Sequence, residues 1–190
     1  MVCASAIGFY GDRGEERLTE ESAGGDGFLP DVCRVWESAC VAASAKGIRV
    51  ANMRFGVVLS SQGGALKKML LHFKWGLGGK IGTGRQWWSW VSLEDVVGAL
   101  RHVLATDTLS GPVNVTAPTP VTNDEFTKEL GRALHRPTLL PMPAFAATLL
   151  LGEMANALLL ASARVSPKKL LAAGYPFHHP TLADALSNIL

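Results

Sequence analysis

The chain is poor in cysteine, in net charge and in uninterrupted apolar sequence. Its three cysteines among 190 residues, Cys3, Cys33 and Cys40, have no C-x-x-C spacing and no neighbouring histidine. That excludes a disulfide framework and fits reduced thiols in a reducing, cytoplasmic compartment. Cys33 and Cys40 read as packing residues of a helix. A net charge of +2, with Lys and Arg scattered, excludes a nucleic-acid stripe. The first residues lack the basic and apolar regions of a secretory leader. Pro137 to Gly152 is apolar and uncharged, but Pro141 and Pro143 break its front and Glu153 and Asn156 interrupt its continuation. A spanning helix needs about 20 clean residues. A helix packed on the rest of the protein is expected instead, with a membrane-surface helix as the alternative. No membrane partner is expected, and no repeat or low-complexity segment is present.

What the sequence does have is a core. Its 48% apolar and 18% charged residues describe a globular chain. Met1 to Gly8 predicts a short strand, followed by a polar loop over Gly11 to Gly27. Val32, Val35, Trp36, Cys40 and Ala43 form an i, i+3, i+4 stripe that predicts a helix from Pro30 to Lys46, closed by Gly47. Ile48 to Leu59 is nearly continuous apolar sequence, the pattern of a strand covered on both faces. A helix over Gly63 to Trp75, a glycine-rich loop over Gly76 to Gly84 and an aromatic strand over Trp87 to Val91 follow. Ser92-Leu93-Glu94-Asp95 and Thr122-Asn123-Asp124-Glu125 have the capping-box pattern and open two helices, with a strand at Val113 to Thr116 between them. Past Arg136 come an apolar helix, a short basic helix with Ser166 and Pro167 at its start and Gly174 at its end, and a final helix over Thr181 to Leu190 with Leu182, Leu186, Ile189 and Leu190 inward. Strands alternating with helices predict a parallel, doubly wound α/β sheet. The expected division is a Rossmann-like part over residues 1–135 and a small helical module over 136–190.

Three segments carry a family likeness. Ser5-Ala6-Ile7-Gly8-Phe9-Tyr10-Gly11 resembles the turn after the fifth strand of extended short-chain dehydrogenase/reductases. Arg54-Phe55-Gly56-Val57-Val58-Leu59-Ser60 is similar to the turn after their sixth strand. Trp90-Val91-Ser92-Leu93-Glu94-Asp95-Val96 resembles their W-x-H-x-x-D element, with Ser92 where a His is common. The tail from Arg164 to Leu186 closely resembles the C-terminal module of the atypical, NADP-linked "epimerase family" branch. Trp36-Glu37 and the Gly76–Gly84 loop are typical of the same branch. The resemblance implies a Rossmann-like fold from the fifth strand onward, NADP as cofactor, and redox or epimerase-type chemistry on a small molecule whose identity the residues do not give.

Two departures qualify what it implies. The glycine-rich strand–turn–helix that holds the pyrophosphate in the family has no counterpart here. The cluster at Gly76, Gly78, Gly79, Gly82 and Gly84 fits neither G-x-G-x-x-G nor the P-loop pattern, and a strand follows it rather than a helix. In the 3-2-1-4-5-6 order the dinucleotide lies between strands 1 and 4. The expectation is therefore a truncated relative that does not bind NADP by itself, with a bare sheet edge that favours self-association. The second departure concerns the Tyr-x-x-x-Lys pair, whose phenol and ammonium move the proton in ordinary members. Leu29 and Cys33 stand at the corresponding positions.

The candidate residues each admit two readings. Ser5 is the remnant of the catalytic hydroxyl or a strand-end cap, and Tyr10 a reacting phenol or a packed ring. Glu37 forms an ion pair with Arg54 or is the surviving acid. Gly56, Val57 and Val58, with Arg54 before them, border the nicotinamide in the resemblance, because glycine lets the backbone approach and the N–H groups that follow can hold a carboxamide. Arg85 and Trp88 form the rim of a substrate pocket, or the tryptophans are core. Asp95 reads as a helix-start carboxylate. His178-His179 lacks the further ligands of a metal site. The alternative to an enzyme is a non-catalytic nucleotide-sensing or scaffold relative.

Overall fold

The computed structural model describes residues 1–151 and 159–190. Its centre is a parallel sheet of three strands in the order β1-β3-β7, formed by β1 (Val2–Ala6), β3 (Ala51–Phe55) and β7 (Gly111–Val115). The register runs Ser5 opposite Arg54 and Arg54 opposite Asn114. Among the described residues β1 pairs only with β3, so its outer edge carries no strand.

The predicted strand Ile48–Leu59 is divided. After β3 the chain turns at Gly56 and continues as β4 (Val57–Leu59), which leaves the main sheet and pairs in parallel with β6 (Trp90–Ser92). A Cβ on Gly56 would lie 2.6 Å from the Ser89 carbonyl oxygen and 2.9 Å from Thr116 Cγ2, so glycine is what permits this departure. The aromatic strand is also two pieces. β5 (Trp87–Trp88) runs antiparallel to β8 (Val121–Thr122), while Trp90 starts β6.

The predicted helix over Pro30–Lys46 is two helices, α1 (Phe28–Ser38) and α2 (Val41–Ala45), and its inward face matches the predicted stripe only in part. Pro30, Cys33 and Cys40 are buried, whereas Val35 and Trp36, assigned inward from their periodicity, are exposed. Small side chains let the helix lie close on β1, and the large apolar ones are left outside. α3 (Gly64–Lys74), α4 (Leu93–Ala105) and α5 (Asn123–Leu134) match their patterns. Ser92 caps α4 by accepting from Asp95 N–H at 3.0 Å, and Thr122 and Glu125 complete a capping box on α5.

The C-terminal segment is woven into this frame. β9 (Arg164–Val165) pairs with β2 (Arg17–Leu18), a strand inside what the sequence predicts as a polar loop. α6 (Ala144–Leu151) begins the apolar segment, and the rest of that predicted helix lies largely outside the described residues. The short helix Lys168–Ala172 starts at Pro167 rather than Ser166, with no side-chain cap. Gly174 at φ +71° closes it as expected. The last helix, Leu182–Ile189, buries Leu182 and Leu186 against Phe126 and Leu130 of α5, while Leu190 points outward. A second core lies on the opposite side of the main sheet, where Met53, Val113 and Val115 meet Ala99 and Val103 of α4.

Candidate functional site

Ligands of open parallel sheets lie beyond the carboxyl ends of the strands. Here that edge is made by Ala6 and the 3-10 turn Ile7–Tyr10 after β1, and by Phe55 to Val58 after β3, side by side through the pairing of Ala6 with Phe55. Ala6 and Phe55 to Val58 are partly open to solvent.

Beneath that edge the structure gathers the three candidate catalytic residues, Ser5, Tyr10 and Glu37, around Arg54, expected on the cofactor side. Arg54 Nε donates to Glu37 Oε1 at 2.7 Å and Nη2 to Oε2 at 2.8 Å, a forked ion pair. Ser5 Oγ donates to the same Oε1 at 2.7 Å. Arg54 Nη1 donates to the Tyr10 hydroxyl at 3.0 Å, and that hydroxyl lies 2.8 Å from its acceptor Asn114 Oδ1. The guanidinium is sandwiched under the Phe9 ring, 3.5 Å from its centroid. Burial by itself would lower the Arg54 pKa, but its bonds to Glu37 and Tyr10 outweigh that and raise it. Burial raises the Tyr10 phenol above its ordinary value, opposed by Arg54. The ion-pair reading of Glu37 is the one the geometry realises. Tyr10 is fully buried and hydrogen-bonded, so it packs rather than projecting a phenol. Arg54 is likewise buried under the turn and does not reach the open edge.

Two members of this network carry no signal in the sequence. Glu20, from the predicted polar loop, accepts from Asn114 N–H at 3.1 Å and from Lys169 N–H at 3.2 Å, while its other oxygen is buried without a partner among the described residues. Asn114 Nδ2 donates to the Ser166 carbonyl at 3.0 Å. A loop acid and a strand asparagine become recognisable only when β7 and the C-terminal segment close over them.

Leu29 and Cys33 face the turn after β1. A Cβ on Gly8 would lie 3.4 Å from Leu29 Cβ, and Cys33 Sγ lies 3.7 Å from the Ala6 carbonyl.

Among the residues expected at the nicotinamide, the Val57 N–H already donates to the Ser89 carbonyl at 2.9 Å and the Gly56 N–H to Val115 at 3.1 Å. Neither is free for a carboxamide. Val58 is partly open and stays a candidate. Gly56 is required by its contact with Ser89, which is a reason internal to the fold.

Arg85 and Trp88 do not form a rim together. Arg85 is exposed and lies 3.8 Å from Glu15. Trp88 is core, packed on Phe126 at 5.2 Å, with its indole N–H directed to the Leu159 carbonyl at 3.3 Å. Trp90 is core as well. Asp95 does more than start a helix. It is buried and accepts from Tyr175 Oη at 3.1 Å, His178 N–H at 2.8 Å and His179 N–H at 3.0 Å, tying the C-terminal segment to α4. His179 Nε2 meets Glu94 at 3.0 Å, and among the described residues no group of three or more potential ligands could hold a metal. No helix there is long and apolar enough to cross a membrane.

Fold and edge together define a Rossmann-like α/β protein. Residues 142–189 match the family model described as "Domain of unknown function (DUF1731)". The chain is 47% identical over 186 residues to the epimerase family protein Mb2239 of Mycobacterium bovis, covering 98% of this chain and 62% of that one. Its fold matches the human epimerase family protein SDR39U1, crystallised with NADPH, at a TM-score of 0.90 and 35% identity, over 99% of this chain and 64% of that chain. A nucleoside-diphosphate sugar epimerase from Corynebacterium glutamicum matches at a TM-score of 0.82 and 39% identity, over 100% of this chain and 37% of that chain. The chain thus spans about three-fifths of the length of the curated relative.

Proposed function

We propose that this chain is the pocket-forming part of an NADP(H)-linked protein of reductase or epimerase type acting on a small molecule. The observation that carries this is its likeness, across nearly its whole length, to a human protein crystallised with NADPH. In this reading Val58 and the turn after β1 border the nicotinamide, residues 1–135 supply the cofactor-side half, and residues 136–190 close the substrate side. The pyrophosphate, in the same reading, is held by residues outside these 190. A weak hold on NADPH by the 190 residues alone is supported by the lack of a glycine-rich phosphate turn in the sequence. Three thiols outside any disulfide support a reducing, cytoplasmic setting.

The test is NADPH titration, followed by tryptophan fluorescence, of this chain and of a form extended to the relatives' length. Saturable quenching only in the extended form, with turnover of a carbonyl or sugar substrate, supports the reading. Tight, saturable uptake by the 190-residue chain overturns the division of labour.

A second reading has its own observation. Ser5, Tyr10 and Glu37 are committed to one another through Arg54, and Leu29 and Cys33, which the family pattern sets at the positions of the proton-transferring pair, carry neither phenol nor ammonium. That favours a nucleotide-sensing or scaffold relative, for which the extended form would bind NADPH without turnover.

A further inference from the structure

α3 buries Leu66, Leu70 and Phe73, which leaves Lys67, Lys68, Leu71, Lys74 and Trp75 on or beside its outer stripe. The chain then runs alongside residues 136–144. Arg136 Nε donates to the Lys74 carbonyl at 3.0 Å, Met142 N–H donates to the Lys80 carbonyl at 2.8 Å, and Gly82 N–H donates to the Met142 carbonyl at 2.8 Å. A Cβ on Gly79 would lie 1.9 Å from the Leu140 carbonyl oxygen, so the two segments touch backbone to backbone. One continuous face results. On it Trp75, Leu77, Leu139, Leu140, Phe145 and Leu149 are between 54% and 83% exposed. Phe145 and Leu149 stand one turn apart on α6.

Soluble proteins rarely leave so many large apolar side chains together in water. The charge around them is of one sign. Exposed Lys67, Lys68, Lys74, Lys80 and Arg136 flank the face, and the sequence has no Asp or Glu over residues 38–93 or 130–152. On α5, Arg132 and Lys128 are paired with Glu129 and Asp124, and among the described residues no carboxylate pairs with the cations of α3 and the following loop. Aliphatic side chains with a tryptophan beside them, ringed by lysines whose stems can reach along apolar surface, are the composition of an interfacial membrane contact. We infer that this face docks on an anionic lipid bilayer, with Phe145, Leu149 and Leu139 entering the acyl boundary and the lysines meeting headgroup phosphates. The contact is peripheral, because no helix among the described residues is built to span. Pro141 and Pro143 break the apolar stretch over residues 137–152 and Glu153 and Asn156 interrupt its continuation, which argues against a spanning helix, and it is the side-chain exposure that favours a surface contact.

The test is flotation of the 190-residue chain with phosphatidylcholine vesicles with and without phosphatidylglycerol, at low and high salt. Flotation with the anionic vesicles alone, weakened by salt, is expected. Phe145→Ser with Leu149→Ser should abolish it. Lys74→Gln with Lys80→Gln should weaken it by roughly thirtyfold, since each cation near such a surface counts for about a factor of five. All these side chains are exposed, so circular dichroism should match the parent. No flotation at low salt, equal flotation with neutral vesicles, or indifference to both variant pairs overturns the inference. Self-association through this face without vesicle binding, seen in sedimentation, overturns it too.

Discussion

Arg54 and Glu37 form a forked ion pair, 2.7 and 2.8 Å, that joins the middle strand of the main sheet to α1. Both side chains are largely removed from water, and Ser5 and Tyr10 complete the hydrogen bonding that such a pair requires.

Removing one partner should therefore cost much more than removing both. Glu37→Ala leaves a buried guanidinium and should destabilise the chain by about 3 kcal/mol or more, read as a shift in the urea midpoint. Glu37→Leu with Arg54→Met should recover most of the loss. Equal destabilisation by the single and double variants would show that the pair itself holds the fold.

A second prediction concerns α4. A Cβ on Gly98 would lie 2.2 Å from the Tyr175 hydroxyl oxygen. Gly98→Ala should cost about 1–3 kcal/mol through overpacking. Adding Tyr175→Phe removes the clashing oxygen and should restore part of that stability, although Tyr175→Phe alone is destabilising because it breaks the bond to Asp95. A double-mutant cycle by thermal melting measures this coupling, and additive effects would contradict it.

Asp95→Ala should loosen the C-terminal segment. It strands the His178 and His179 N–H groups, while the Tyr175 hydroxyl keeps the Asp95 backbone carbonyl at 3.1 Å, at a cost of about 3 kcal/mol. Hydrogen exchange should rise first in residues 175–190. Uniform exchange across the chain would mean that Asp95 is not the tie between α4 and the tail.

Alkaline pH should act through the only two tyrosines, Tyr10 and Tyr175. Burial, the first cause in each case, raises both phenols above their ordinary value, and for Tyr175 the Asp95 carboxylate adds to it. The unfolded phenols lose protons from about pH 10 upward while the folded ones still hold theirs. The unfolded state then binds fewer protons, and stability falls as pH rises through that range. Tyrosinate absorbance should appear together with unfolding and not before it. A smooth titration in the folded chain would refute this.

Cys3 and Cys40 meet with their sulfurs 3.0 Å apart, a contact that the spacing of the cysteines in the sequence gives no reason to expect. Burial and the Cys40 thiol push Cys3 up to about 11. Its alkylation at pH 8 should be roughly a hundredfold slower than that of an exposed thiol, because so little thiolate is present. Cys40→Ala should speed it, and an unchanged rate would remove Cys40 as a cause.

Much of the fold was legible along the chain because its signals are local. The N-cap at Ser92, the capping box at Thr122 and the glycine after Lys168–Ala172 act within one turn of helix, and they set those helices to within a residue or two. The alternation of strands and helices fixed the fold class. What failed was facing. Periodicity can say that α1 has two sides, but it is Pro30 and Cys33 that face inward while Val35 and Trp36 lie outside.

The candidate site divides in the same way. Ser5, Tyr10, Glu37 and Arg54 were nameable from residue type and family pattern, since hydroxyls, carboxylates and guanidinium announce their chemistry. Whether they act or merely hold the sheet together depended on distances between positions as far apart as 5 and 54, and on Asn114 and Glu20 arriving from elsewhere. The sequence alone determined which elements form and what chemical groups the chain owns, because both follow from near-neighbour backbone preference and side-chain identity. Only the tertiary structure decided which charges are buried in pairs and which apolar side chains, such as Trp75 and Leu149, are left in water, because burial is a property of the assembled surface.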